Sequence, residues 1–376
     1  MSNSIAGLRQ PNAYIPQLES LRGWAILLVV SFHFYGILLG DTGQLSNETP
    51  IWVRVIGAGN TGVTLFFVLS GFLLTRPFIM NLDSNASVKI GQFYLARLLR
   101  IIPLYYVAIL AAWLATNNSL HAVKALFFIP VGFSMFPFSV PWWSLCTEIQ
   151  FYLLLPWLMV ALRYRLGLLL VFLLVTVWLG LYGAHLFQPH WLDLPPWSDS
   201  SIFGRGFAFL VGGLAAWLYA SSVYTKFFHS AWFASLLALF LLIVLITLLQ
   251  WYGLNGQKYA VQAMPFYHDL EALLWGGLLL CCLAPSSRKA GLFINPLARH
   301  FGTISYSLYL VHVPVQFYLI HPLKTAGGGI SDGKMLAAVT GSLLISWVLA
   351  ITCYHGIEKP FLLLKANLPN LNNNRQ

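Results

Sequence analysis

The stretch LRGWAILLVVSFHFYG, residues 21–36, decides the class of this chain. It is apolar apart from Arg22 at its mouth and Ser31 and His33 further in, and it continues an apolar run of the length a bilayer requires. About 20 such residues cross a hydrocarbon core of roughly 30 Å. The rest of the sequence agrees: 58% of the 376 residues are hydrophobic, 9% are charged, and the mean hydropathy is +0.73. A soluble chain of this length needs more charge to cover its surface. The 14 Trp, 27 Phe and 17 Tyr suit the aromatic belts at the two faces of a membrane. The sequence therefore predicts an all-α polytopic membrane protein. The polar residues 1–20 lead into a run that many others follow, so that run reads as a first span and not as a cleaved signal peptide.

Ten apolar runs are long enough to span: residues 22–40, 62–80, 98–116, 142–161, 167–187, 203–221, 231–252, 268–284, 300–322 and 335–357. Lys and Arg gather on the cytoplasmic side. Placing both termini there leaves Arg54, Lys124, Arg205, Lys258, Lys324 and Lys334 outside and the other fifteen of the 21 Lys and Arg inside. That asymmetry predicts cytoplasmic termini and multi-pass insertion in a cell inner or plasma membrane. It also absorbs the net charge of +10 without a nucleic-acid partner, since no basic run forms a patch. No internal repeat or soluble appendage stands out, so residues 1–376 read as one membrane domain with short polar tails. Cys146, Cys281, Cys282 and Cys353 lie in apolar runs with no metal-ligand spacing, and no metal is expected.

An ionisable group in mid-span costs about 2.5–3.5 kcal/mol on insertion scales, so His33 is a functional candidate by default. Arg22 lies eleven positions earlier. At about 100° per residue the two side chains differ by roughly 20° around the helix and about 16 Å along it, forming one stripe from the membrane edge to its middle. The plainer alternatives are a charge anchor for Arg22 and a hydrogen-bonded packing residue for His33.

In PWWSLCTEIQFYLLLP, residues 141–156, Glu148 sits about two turns inside a span. A buried carboxylate within reach of an imidazole makes the base and orienter pair that activates a weak hydroxyl nucleophile. Alternatively, it is an interhelical hydrogen bond. In TISYSLYLVHVPVQFYL, residues 303–319, Ser305, Tyr309, His312 and Gln316 share one helix face. That face is either glue between helices or the wall of a substrate channel. Arg97 and Arg100, three apart at a helix start, can clamp a phosphate or simply enforce topology. Arg205, Glu271 and the Glu358–Lys359 pair are lesser candidates, the last read as an exposed interfacial pair.

Six segments, LESLRGWAILLVVSFH, GVTLFFVLSGFLL, FYLARLLRIIPLYY, WWSLCTEIQFYLLLP, FGTISYSLYLVHVPV and YHGIEKPF, occur between residues 18 and 361 in the order found in the acyltransferase 3 family. The chain resembles those integral membrane O-acyltransferases over nearly its whole length. The resemblance implies transfer of an acyl group, commonly acetyl, from cytoplasmic acyl-CoA to a hydroxyl of an extracytoplasmic or lipid-linked saccharide. The donor would be a substrate, with no bound cofactor. Arg22 and His33 match the essential Arg and His of the family's first span. Glu148 matches the first Glu of its WSLxxE segment, and Arg97 and Arg100 its basic inner-loop cluster. The chain departs from the family at Thr64, where an Asp is common, and at Ile149, where a second Glu is frequent. Both departures raise the weight on Glu148.

Some members carry a soluble hydrolase-like domain after the membrane part. Here the sequence stops soon after FLLLKANLPNLNNNRQ, so the expectation is transfer by the membrane part itself or through a separate extracytoplasmic acyltransferase. The expected route has acyl-CoA phosphates at Arg22, Arg97 and Arg100. The thioester lies near His33, as general base or transient acyl carrier, and Glu148 orients the ring. The rival from another class is a transporter or flippase of a lipid-linked saccharide or small polar solute, with His and Glu as proton-relay groups.

Overall fold

The structure, a computed structural model, describes residues 14–39, 45–80, 90–284, 294–325 and 332–367. Arg9, Lys89, Arg288, Lys289 and Arg375 of the charge tally, and both polar tails, lie outside these. Among the described residues there is no strand. The helices are α1 (Pro16–Leu39), α2 (Ile51–Gly57), α3 (Thr61–Met80), α4 (Ile90–Thr116), α5 (Ser119–Leu126), α6 (Trp142–Ala161), α7 (Arg165–Phe187), α8 (Ile202–Ala220) and α9 (Ser222–Phe228). They continue with α10 (Ala231–Asn255), α11 (Gln257–Ala263), α12 (Tyr267–Leu283), α13 (Pro296–Thr303), α14 (Ser305–Thr325), α15 (Asp332–Cys353) and α16 (Lys359–Asn367). A single π-helical turn, Tyr354–Glu358, joins the last two.

Eight of the described helical segments are long and apolar enough to cross a membrane, and nine if α11 and α12 count as one bent span. The protein is thus an all-α multi-pass membrane protein. Two of the ten expected runs have another form. Gly256 at φ +72° ends α10, and α11 then meets α12 at 90° across a break that contains Pro265. α14 is a continuous helix, but it holds Ser, Tyr, His, Gln and two prolines and is not among the apolar eight.

The fold divides into two compact units, Met1–Val88 with Ser144–Ser305, and Lys89–Trp143 with Tyr306–Gln376. In the first, α3 is the central element, packing on α1, α8 and α12. Its contact with α8 is close because both helices place glycine there. A Cβ on Gly71 would stand 2.3 Å from the carbonyl oxygen of Phe209, and one on Gly212 would stand 2.1 Å from that of Val68. In a membrane, where lipid is as apolar as Leu, helices adhere through such small-residue contacts and their dispersion energy. Beside them Phe67 and Phe151 both stack on Phe209, with centroids 4.7 and 4.2 Å away.

The second unit is held by aromatic packing and by polar groups turned inward. Tyr105 lies edge-on to Trp142 and stacked on Phe128, at 5.3 and 4.8 Å. The Tyr306 hydroxyl donates to the Ile101 carbonyl at 2.7 Å, pinning α14 to α4. α16 and the π-helical turn also pack on α4.

Candidate active site

Arg22 and His33 lie on one uninterrupted helix, α1, as their spacing requires. The Arg22 guanidinium donates to Ser305 Oγ at 3.1 Å, so two of the expected site residues, 283 positions apart in sequence, are in contact. His33 Nδ1 is 3.0 Å from the carbonyl oxygen of Val29, one turn earlier. A carbonyl only accepts, so Nδ1 carries the proton and a neutral ring keeps its lone pair on Nε2. The Phe32 ring lies edge-on to the imidazole at 5.4 Å.

Glu148 on α6 is partly buried, and hydroxyl groups hold it. Ser70 Oγ donates to Oε1 at 2.7 Å, and the Tyr152 hydroxyl donates to the same oxygen from one turn along the helix. The sequence expects Glu148 to orient His33; the hydrogen bonds it accepts come from a serine of the VLSGF segment on α3 and from a tyrosine of its own helix. Ser70 carried no sequence signal beyond being a polar residue in an apolar span.

A second carboxylate is more deeply placed than the sequence suggested. Glu271 on α12 is fully buried. Its Oε2 accepts from Thr64 Oγ1 at 3.1 Å and lies 2.8 Å from His268 Nδ1. Thr64 thus stands where relatives of the expected family commonly have an acid, and here it is a donor to an acid on another helix. Around the pair, Tyr252 stacks on Tyr267 at 4.4 Å, Tyr267 lies edge-on to His268 at 5.1 Å, and Asn60 donates to the Tyr252 hydroxyl at 2.9 Å. Trp275 Nε1 donates to Thr61 Oγ1 at 2.8 Å, and both carboxylate oxygens of Asp269 accept from the Tyr182 hydroxyl at 3.1 Å. Two acids two residues apart at the start of an apolar run were the available clue.

In the second unit Arg97 and Arg100 lie on α4, both partly buried. Tyr309 and His312 are buried, as is Ser305, so the predicted polar face of α14 points into protein. Tyr309 donates to the Pro141 carbonyl at 2.8 Å, and His312 Nδ1 to the Leu308 carbonyl at 3.0 Å. Glu358 corrects the reading of an exposed interfacial pair. It is 3% exposed and accepts from Ser307 Oγ at 2.8 Å. It closes the π-helical turn Tyr354–Glu358, whose extra residue rotates the side chain away from where a regular helix would aim it.

Chemically, the first unit offers an imidazole with a defined tautomer on α1, a guanidinium at the start of that helix, and the carboxylates of Glu148, Asp269 and Glu271, each fixed by hydroxyl or imidazole donors. These are the parts for proton transfer and for binding an anionic, hydroxyl-bearing or thioester substrate. The model of one protein family, described as an acyltransferase domain of the acyltransferase 3 type, matches residues 15–354. The chain is similar to the putative peptidoglycan O-acetyltransferase YrhL of Bacillus subtilis, at 25% identity over 382 residues, covering 93% of this chain and 55% of the relative. It is similar to the peptidoglycan O-acetyltransferase OatA of Listeria monocytogenes, at 25% over 344 residues, 82% of this chain and 50% of the relative. A putative O-acetyltransferase of Staphylococcus aureus matches at 25% over 388 residues, 93% of this chain and 57% of the relative. The chain thus spans about half the length of these curated relatives. No solved structure matches it.

Proposed function

The chain belongs to the acyltransferase family whose model it matches over residues 15–354, and from that premise we propose that it is a membrane O-acetyltransferase acting on a saccharide hydroxyl. The donor is acetyl-CoA presented from the cytoplasm, and the acceptor is an extracytoplasmic or lipid-linked glycan. The protein sits in the cell's inner or plasma membrane with both termini cytoplasmic. The glycan acceptor is supported by the names of the relatives, and the orientation by the distribution of Lys and Arg.

Arg22, Arg97 and Arg100 bind the donor's phosphates, each guanidinium offering a fork of donors. His33 meets the thioester in the membrane. With Nδ1 committed to the Val29 carbonyl, its Nε2 lone pair is the atom that takes the acceptor's proton or carries the acetyl group. Glu148, fixed by Ser70 and Tyr152, supplies negative charge that stabilises the cationic state of the ring. Ser305, Tyr309 and His312 line the path of the donor's flexible arm. The observation that carries this reading is that the family match encloses every one of these residues while the structure puts Arg22 and His33 on one membrane helix.

The experiment is transfer by purified protein in proteoliposomes, with acetyl-labelled acetyl-CoA and a peptidoglycan-type saccharide, reading labelled ester and released CoA. Wild type is expected to form an ester that alkali removes, and His33→Ala to lose about 10²-fold or more in rate with the fold intact. Full activity in His33→Ala, or acceptor uptake without CoA release, overturns the reading. Mass spectrometry of surface glycans with and without the gene identifies the acceptor.

A further inference from the structure

In the described residues of the first unit two imidazoles meet a carboxylate at 2.8 Å: His185 meets Asp199, which is 67% exposed, and His268 meets Glu271, which is buried. His268 Nδ1 is engaged by Glu271, and Glu271 is closed off at 0% exposure, while the His268 side chain keeps 15%. The carboxylate is therefore enclosed, while the ring it meets is not wholly so. Nε2 has no hydrogen bond among the described residues. Thr64 holds Oε2 of the acid from α3, and Tyr267 and Tyr252 wall the ring. The bond between His268 and Glu271 lies within α12, so it does not fasten that helix to a neighbour.

We propose that His268, oriented by Glu271, is the general base for the acceptor hydroxyl. The inference rests on the acetyl-transfer reading above and assigns the base within it. The acceptor oxygen attacks the acetyl carbonyl carbon, and its proton passes to His268 Nε2. The carbon–oxygen bond forms as the carbon–sulfur bond breaks, and sulfur leaves as thiolate. The imidazolium then gives up its proton, so thioester plus alcohol become ester plus thiol. Glu271 keeps Nδ1 protonated, leaving the lone pair on Nε2, and offsets the positive charge while the ring holds the proton. In this direct transfer His33 gives up the base and carrier roles assigned above and serves the donor side of the reaction. α3, which packs on both α1 and α12, is the element common to the two imidazoles.

The test uses full-length wild type, His268→Ala, His268→Gln and Glu271→Gln in proteoliposomes with acetyl-CoA and two acceptors. These are a saccharide and an acidic alcohol such as trifluoroethanol, which needs less help to lose its proton. Thermal melting checks each fold. Both His268 variants are expected to lose about 10²-fold or more in kcat toward the saccharide, with KM for acetyl-CoA within twofold. The loss shrinks at least tenfold with trifluoroethanol, and added imidazole restores part of it in His268→Ala. Glu271→Gln loses about tenfold. His268→Gln keeps a donor to Glu271 but no proton acceptor, so wild-type activity in that variant overturns the proposal. Equal losses with both acceptors and no rescue by imidazole also overturn it, marking the pair as structural. If wild type transfers no acetyl group, the acetyl-transfer reading itself fails and this inference falls with it. If wild type transfers and the His268 variants match it, only the assignment of the base fails.

Discussion

The Arg22 guanidinium and the Ser305 hydroxyl meet at 3.1 Å, tying the first turns of α1 to the first residue of α14. A positive charge meant only to anchor a loop in the cytoplasm has no use for a buried serine, so the contact gives Arg22 a fixed direction. Ser305→Ala removes that direction and keeps the charge. The expected result is a KM for acetyl-CoA raised about three- to tenfold with kcat little changed, whereas Arg22→Ala loses both. Steady-state kinetics at several donor concentrations separate the two.

Glu148 accepts from two hydroxyls. Both donate to the same oxygen, so Glu148→Gln keeps an acceptor for them and removes the charge, and melting is expected to change by no more than about 1–2 kcal/mol of stability. If the charge stabilises a cationic imidazole, kcat nevertheless falls about 10- to 100-fold. Ser70→Ala is expected to lose less, because the Tyr152 bond remains. Kinetics and melting on the same preparations check both statements.

The α3 and α8 backbones approach within the space of a missing methyl group. A Cβ on Gly212 would come 2.1 Å from the Val68 carbonyl oxygen, and backbone does not yield as a side chain does. Gly212→Val is expected to force the helices apart at a cost of at least about 1–3 kcal/mol. The readout is a lowered melting temperature and early loss of the monodisperse peak in detergent. Gly213→Ala, one position on, meets only the Thr75 side chain at 3.5 Å and is expected to melt like wild type.

Tyr309 donates to the Pro141 carbonyl. Tyr309→Phe leaves a buried acceptor without that donor and is expected to cost about 1–3 kcal/mol. If the face of α14 also forms the donor's path, KM for acetyl-CoA rises; if it is glue, KM is unchanged while melting still drops. Measuring both on one variant distinguishes the two meanings of the stripe.

The sequence made some of this legible because some signals are local. The apolar run from Trp24 onward, interrupted by His33, specifies a membrane helix and its odd residue together. Ser305, Tyr309 and His312 reveal a buried face because their spacing follows the helical period. Of the partners of Glu271, His268 lies three residues away at helical spacing, but Thr64 lies 207 residues away and no periodicity links it to the acid. Glu358 was hidden for a different reason: one π-helical turn adds a residue and shifts the register, so a side chain assigned to the surface points inward. The 90° bend before α12 falls at a break that contains Pro265, yet an apolar count treats 268–284 as an ordinary span.

That bend has a bearing on how the protein enters the membrane. α12 brings His268, Asp269 and Glu271 together, a sequence that hydrocarbon accepts reluctantly. The groups that receive them are Thr64 on α3, Tyr182 on α7 and Tyr252 on α10, all earlier in the chain. When the ribosome releases α12, its hydrogen-bonding partners are already made. The order of synthesis itself supplies the shelter that lets a charged segment leave the translocation machinery.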